Sequence, residues 1–280
     1  MLAKKLLRRI GSVLKNVIGF GFSLIVLVPF IMIVLNSFKV HAEANRMGLN
    51  LDGATWSQFI ENYSFVIERS DFFSALFNSV FVTAISVTCI ILISSMTSFV
   101  VVRRKLKFVN SMIIMGLTLP GLIVAVYFMM STIGFTTGNG AFAGAILLYI
   151  TGSFPLAYFI YTGFIKGVSP EIDEAAIIDG ASPLKCFFLV IFPILKPVTI
   201  TLIITTSMAI WNDFSVSLYF LNYPSRRTLV LSTYMFVSQN RTSWNHLFAN
   251  VVLISIPIVL LYLILQRYIV SGLASGAVKG

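Results

Sequence analysis

The sequence is short of charge. Only 11% of its 280 residues are Asp, Glu, Lys or Arg, ten of them acidic, whereas 58% are hydrophobic. With a mean hydropathy of +0.93, this composition falls outside the range of soluble globular domains and indicates a polytopic membrane protein. Cysteine is almost lacking: Cys89 lies in an apolar run and Cys186 in a polar stretch, so neither a disulfide framework nor a redox pair is indicated. No G-x-x-x-x-G-K-[ST] phosphate loop occurs, and the chain is therefore not expected to hydrolyse ATP by itself. Material for an intramembrane serine protease is confined to Gly21-Phe22-Ser23 and His246, with no third group to orient them and no metal-binding pattern around the histidine.

What is present is a series of long apolar runs. Residues 17–35 follow Lys4, Lys5, Arg8, Arg9 and Lys15, and Ala42-Glu43-Ala44 resembles a signal-peptide cleavage site. At about 1.5 Å per residue the run is long enough to span and longer than the core of a signal, so a retained first span is expected. A second run ends against Arg103-Arg104-Lys105-Leu106-Lys107, and residues 108–165 carry no charge at all. That is too long for one helix, and Gly134-Phe135-Thr136-Thr137-Gly138-Asn139-Gly140 supplies the dividing turn. Six spans follow, at about 17–37, 72–102, 110–132, 141–165, 195–220 and 247–267. The fold class is all-α, a single transmembrane domain over 1–280, because the polar segments 38–71 and 221–246 are too short to bury cores of their own.

The formal charge of +10 is read as a topology signal, not as a nucleic-acid footprint. Fourteen of the twenty Lys and Arg side chains fall in the N-terminal arm, the second and fourth connections and the C-terminal tail, and six on the other side. Both termini are expected in the cytoplasm, together with the polar stretch 169–193. That stretch holds four of the ten acidic residues, Glu171, Asp173, Glu174 and Asp179. Ser169 and Pro170 signal a helix start, Gly180 an end, and Ser182-Pro183 a second start, with Pro193 and Pro197 turning the chain into the next span. On a helical wheel Ile172, Ala175, Ala176 and Asp179 share one face, and Glu171, Glu174, Ile177 and Ile178 the other. Neither face is cleanly polar, as expected of a helix wedged between its own membrane domain and a protein partner.

Glu174-Ala175-Ala176, three residues, Gly180, nine residues, then Val190-Ile191-Phe192-Pro193 resembles the E-A-A, Gly and I-x-L-P motif of permease subunits in binding-protein-dependent ATP-binding cassette importers. Val190 and Phe192 depart conservatively from it. Asn62-Tyr63, Asn78-Ser79, Trp211-Asn212-Asp213-Phe214, Gln266-Arg267-Tyr268, Gly272-Leu273 and the ending Gly276-Ala277-Val278-Lys279-Gly280 are similar to the carbohydrate, maltose-type branch, in particular its shorter permease. The resemblance implies a bacterial cytoplasmic-membrane location and a coupling role for Glu174, Ala175, Ala176, Asp179, Gly180 and Pro193. The implied partners are an ATPase dimer carrying ATP and Mg, a second permease and an extracytoplasmic solute-binding protein. No cofactor is implied in this chain.

Trp211, Asn212 and Asp213 combine an aromatic face with amide and carboxylate groups, which suits a sugar in the translocation path. They suit an aromatic anchor with an acid reaching water equally well. Arg226, Arg227, Arg241 and Trp244 are candidate contacts for the solute-binding protein, or members of a solvated loop. Import of another solute, such as a glycerol phosphate or a polyol, stays open. An ion-gradient-driven transporter would carry paired charges within its spans, and here they offer only Asp213.

Overall fold

A computed structural model describes residues 2–118, 121–237 and 242–277. Apolar runs become long helices. The main elements are α1 (Leu2–Ser37), α2 (Trp56–Arg69), α3 (Phe72–Arg103), α4 (Lys107–Met115), α5 (Ile123–Thr132), α6 (Gly140–Lys166), α7 (Glu171–Ile178), α8 (Pro183–Ile194), α9 (Lys196–Trp211), α10 (Ser215–Phe220) and α11 (Trp244–Ala277). No strand forms among the described residues, and the nearest approach to one is an isolated bridge between Lys39 and Ala54. Four helices are long and apolar enough to cross a membrane, Lys15–Ser37, Phe72–Arg103, Gly140–Lys166 and Trp244–Ile264. Two bent pairs, α4 with α5 and α8 with α9, raise the number to six if each crosses once.

Two expected spans are broken. Expected as one helix over 110–132, the third consists of α4, a 3₁₀ turn at Gly116–Thr118 and α5, with a bend of 110° between its halves. The fifth, expected over 195–220, stops at Trp211 and restarts at Ser215. Its break has a local cause. Asp213 Oδ2 accepts a hydrogen bond from the Val216 amide at 2.7 Å, and a carboxylate that offers the backbone a cap favours a fresh helix start over continuation.

By its contacts the chain divides into two compact units. The first comprises Met1–Phe72 and Thr233–Ser255. Its organising feature is a buried polar knot around Asn62, which is fully buried. Asn62 Nδ2 donates to the Ser37 and Lys39 carbonyls at 2.9 and 3.0 Å. Asn62 Oδ1 accepts from Asn245 Nδ2 at 2.8 Å. Lys39 is buried too, and its ammonium donates to Gly48 O and Asn50 Oδ1, both at 2.9 Å. A buried charge is tolerated only when its donors are taken up in this way. No residue in the most apolar window of α1 is buried, as expected for a helix whose surroundings are lipid or another chain.

The second unit comprises Phe73–Ser232 and Ile256–Gly280. Its core joins α3, α6, α8 and α9 through Val87, Ile90, Tyr161, Ile165, Phe187, Ile191 and Leu202. Along α3 the buried positions include Ser79, Ser86, Ser94, Ser95 and Ser98. Small side chains of this kind let membrane helices approach closely, and Ser98 Oγ donates to Tyr158 O at 3.1 Å. Gly144 in α6 serves the same end, since a Cβ there would lie 2.3 Å from Phe135 O and 2.9 Å from the Phe220 ring.

Candidate functional site

The polar stretch folds as a helix, a bend and a helix. Ser169 Oγ accepts from the Glu171 amide at 3.3 Å, and Glu171, Asp173 and Glu174 occupy the first turn of α7, where the helix dipole favours negative charge. At the other end the Gly180 amide donates to Ile177 O and the Ala181 amide to Ala176 O, each at 2.9 Å. That pattern is a Schellman cap, and Gly180 takes the left-handed conformation it needs, with φ +82°. Ser182 Oγ then caps α8 through the Lys185 amide at 3.4 Å.

The expectation for Pro193 is corrected. Pro193 sits inside the last turn of α8, and the chain turns by 77° only at Leu195. Residues Cys186–Ile191 form a π-helical segment, a wider coil in which Pro193 follows without ending the helix. The helical wheel leaves open which residues of α7 turn inward. Asp173 and Ala176 are its buried residues, whereas Ile172, Ala175 and Asp179 are exposed with Glu171, Glu174, Ile177 and Ile178. A carboxylate turns inward because it has a partner there.

That partner is Arg103, at the end of α3. Its Nε and Nη2 donate to the two Asp173 carboxylate oxygens, the second at 3.2 Å, and its Nη1 donates to Val168 O at 3.1 Å. The Phe99 ring lies 5.9 Å from the guanidinium carbon. The side chains of Arg103 and Asp173 are 17% and 12% exposed, so the pair is mostly sheltered from solvent. One planar fork thus ties α7 and the segment after α6 to α3. Neither residue stands out in the sequence: Arg103 reads as one of a basic run and Asp173 as one of three acids in a first turn. The available signal is positional: Arg103 is the one charged residue within α3 and stands at its last position.

Above this anchor, α3, α8, α9 and α11 line an apolar groove of about 570 Å³. Thr83, Thr88, Thr199 and Ser207 supply its polar groups, with Phe192 and Trp211 among the lining residues. The three neighbours Trp211, Asn212 and Asp213 therefore part company. Trp211 is buried against the groove, Asn212 is exposed with its amide donating to Met208 O at 2.8 Å, and Asp213 accepts from the Tyr149 hydroxyl at 3.0 Å. Asp213 caps α10 and holds α6.

Arg226 donates through Nη1 to Gly138 O at 2.9 Å and lies 5.1 Å from the Tyr223 ring centroid. Arg227 contributes its carbonyl, which with Ser225 O accepts from Asn78 Nδ2 at 3.0 and 3.1 Å. Ser79 Oγ accepts from the Leu229 amide at 2.8 Å. Asn78 and Ser79 thus pin the connection that follows α10, a task their spacing in the sequence does not disclose. Trp244 begins α11 in the other unit and packs on Phe248 with ring centroids 5.6 Å apart. Arg241 lies outside the described residues, and among the described residues no group of His, Cys, Asp and Glu is arranged to hold a metal ion.

The model of the binding-protein-dependent transport system inner membrane component family matches residues 72–275, a range that includes the anchor, the groove and the bent polar stretch. A probable starch degradation products transport system permease protein of Thermoanaerobacterium thermosulfurigenes is 32% identical over 94% of this chain and 95% of its own length. A melibiose/raffinose/stachyose import permease protein of Bacillus subtilis is 31% identical over 90% and 91%. A trehalose/maltose transport system permease protein of Thermococcus litoralis is 27% identical over 99% and 98%. With long apolar helices, a family model that covers most of the chain and such relatives over nearly their whole length, the chain is an integral membrane protein that belongs to the family of binding-protein-dependent transport system inner membrane components.

Proposed function

We propose that this chain is a six-span permease subunit of an ATP-driven carbohydrate importer, multi-pass in the bacterial cytoplasmic membrane with both termini and α7 in the cytoplasm. It forms half of the translocation path, a second permease supplies the other half, and an ATPase dimer carrying ATP and Mg drives the cycle. An extracytoplasmic binding protein delivers the sugar. The observation that carries this reading is the exposed face of α7, where Glu174, Ala175, Ile177 and Ile178 point away from the core, with Ile178 85% exposed. A branched apolar side chain on a cytoplasmic helix, flanked by acids, suits a groove in another protein.

The geometry supplies a route for the stroke. Arg103 links α7 to α3, and Leu195 is the single residue between α8 and α9. Both α3 and α9 line the groove. A displacement of α7 by the ATPase would thereby reach α3 and α9 on the groove, as a rigid-body movement about packed interfaces.

The test is a complex of this chain with its ATPase, second permease and binding protein in proteoliposomes. ATP hydrolysis is expected to rise when the binding protein is loaded with a sugar, and labelled sugar to accumulate. Uptake by the isolated chain without the ATPase would refute the proposal. Gly180→Pro is expected to abolish uptake while leaving membrane insertion intact, because proline fixes φ near −65° and lacks the N–H that closes the cap. Uptake at the normal rate in that variant would show that the bend has no part in coupling.

A further inference from the structure

A second cavity, of about 310 Å³, lies at the end of the second unit remote from α7, with Tyr127, Thr136, Tyr219, Asn222, Tyr223 and Arg226 in its lining. The separation follows from α6, whose 27 residues run from the glycine turn beside this cavity to the segment before α7, about 40 Å of helix. Tyr127 and Tyr219 stand 5.6 Å apart with their planes at 49°. Arg226 is held in place: Asn78 grips the carbonyls of the residues before and after it, Gly138 O accepts from its Nη1, and Tyr223 lies beside its guanidinium. The remaining guanidinium N–H groups and the hydroxyls of Tyr127, Tyr219 and Tyr223 make no hydrogen bond to the protein among the described residues.

Resting on the reading of the chain as a carbohydrate permease, we propose that this cavity is a sugar-binding subsite that takes one pyranose ring as it enters the path. Aromatic faces meet the apolar C–H face of a pyranose, while phenol hydroxyls, the Asn222 amide and the planar fork of Arg226 meet vicinal ring oxygens. An inorganic anion is a poorer match, since such sites gather several cations or free backbone N–H groups. Here a single guanidinium is already bonded to a carbonyl. The volume is at the low end of the roughly 300–1,000 Å³ of small-molecule sites, which fits a single ring of a longer saccharide.

Asn222 and Tyr223 are exposed, so Asn222→Ala and Tyr223→Ala test recognition with little risk to folding, and Arg226→Lys retains the charge while removing the fork. The full complex in nanodiscs, without its binding protein, is titrated with maltotriose and raffinose and followed by saturation-transfer NMR. Labelled uptake by the complete wild-type system is measured in parallel. The subsite predicts saturation transfer in the wild type and an apparent dissociation constant raised about tenfold or more in each variant, the scale of one lost hydrogen bond to a charged group or one lost stacking contact. Sugar uptake by the wild type with equal saturation transfer in wild type and all three variants overturns the subsite and leaves the permease reading standing. Failure of the wild type to take up any sugar while it takes up another solute overturns both.

Discussion

Arg103→Ala and Asp173→Ala are each expected to lower sugar uptake more than tenfold and to erase the response of ATP hydrolysis to the loaded binding protein, while the chain still inserts and still co-purifies with its partners. Removing one member of a sheltered ion pair leaves the other uncompensated, at a cost of about 3–5 kcal/mol when burial is complete. The residual exposure of 17% and 12% brings the expected cost to the order of 2–3 kcal/mol on the same scale. That energy is local. It frees α7 and the Val168 segment from α3 without disturbing the apolar core, so a loss of coupling should precede any loss of fold. Arg103→Lys should rescue little, because an ammonium cannot bond both carboxylate oxygens and Val168 O in one plane. The exchange of Arg103→Asp with Asp173→Arg should recover part of the uptake. Normal ATPase stimulation in both single variants would show that α7 works without its anchor.

Asn62→Leu is expected to be the most destabilising change in the first unit. Its amide uses its full capacity: Nδ2 donates to two carbonyls, and Oδ1 accepts from Asn245 and from Gln58 Nε2 at 3.0 Å. Leucine fills the volume and bonds to nothing, leaving two buried carbonyls and the Asn245 amide in want of partners at about 1–3 kcal/mol each. A net loss of roughly 3 kcal/mol would lower the melting temperature by about 6–12 °C on the scale of domains of 150–250 residues. A fluorescence melt in detergent measures it. Ser64→Ala, at an exposed hydroxyl on the same helix, should stay within about 0.5 kcal/mol of the parent. Equal melting of the two variants would mean that the polar knot does not hold this unit together.

The site was legible in the sequence where its causes are short-range. Ser169, Gly180 and Ser182 declare their caps because a cap is settled by three or four consecutive residues, and the helix, bend and helix form where those residues stand. The arrangement of the acids around that bend was not legible. A wheel ranks residues by hydropathy, and Asp173 is buried for a reason that lies 70 positions away in Arg103. Asp213 teaches the same lesson. Its setting beside Trp211 and Asn212 does not disclose that its carboxylate is engaged by the Val216 amide and the Tyr149 hydroxyl.

By itself the sequence determined that the chain inhabits a bilayer, that its helices are long and apolar, and that one acidic helix-bend-helix interrupts them, because hydropathy, helix length and capping depend on neighbours along the chain. The tertiary structure alone decided which of the three first-turn acids becomes the anchor, which aromatic faces the groove, and where Arg226 is pinned. Those outcomes depend on which side chains packing brings within hydrogen-bond reach, and packing joins residues that the chain keeps apart.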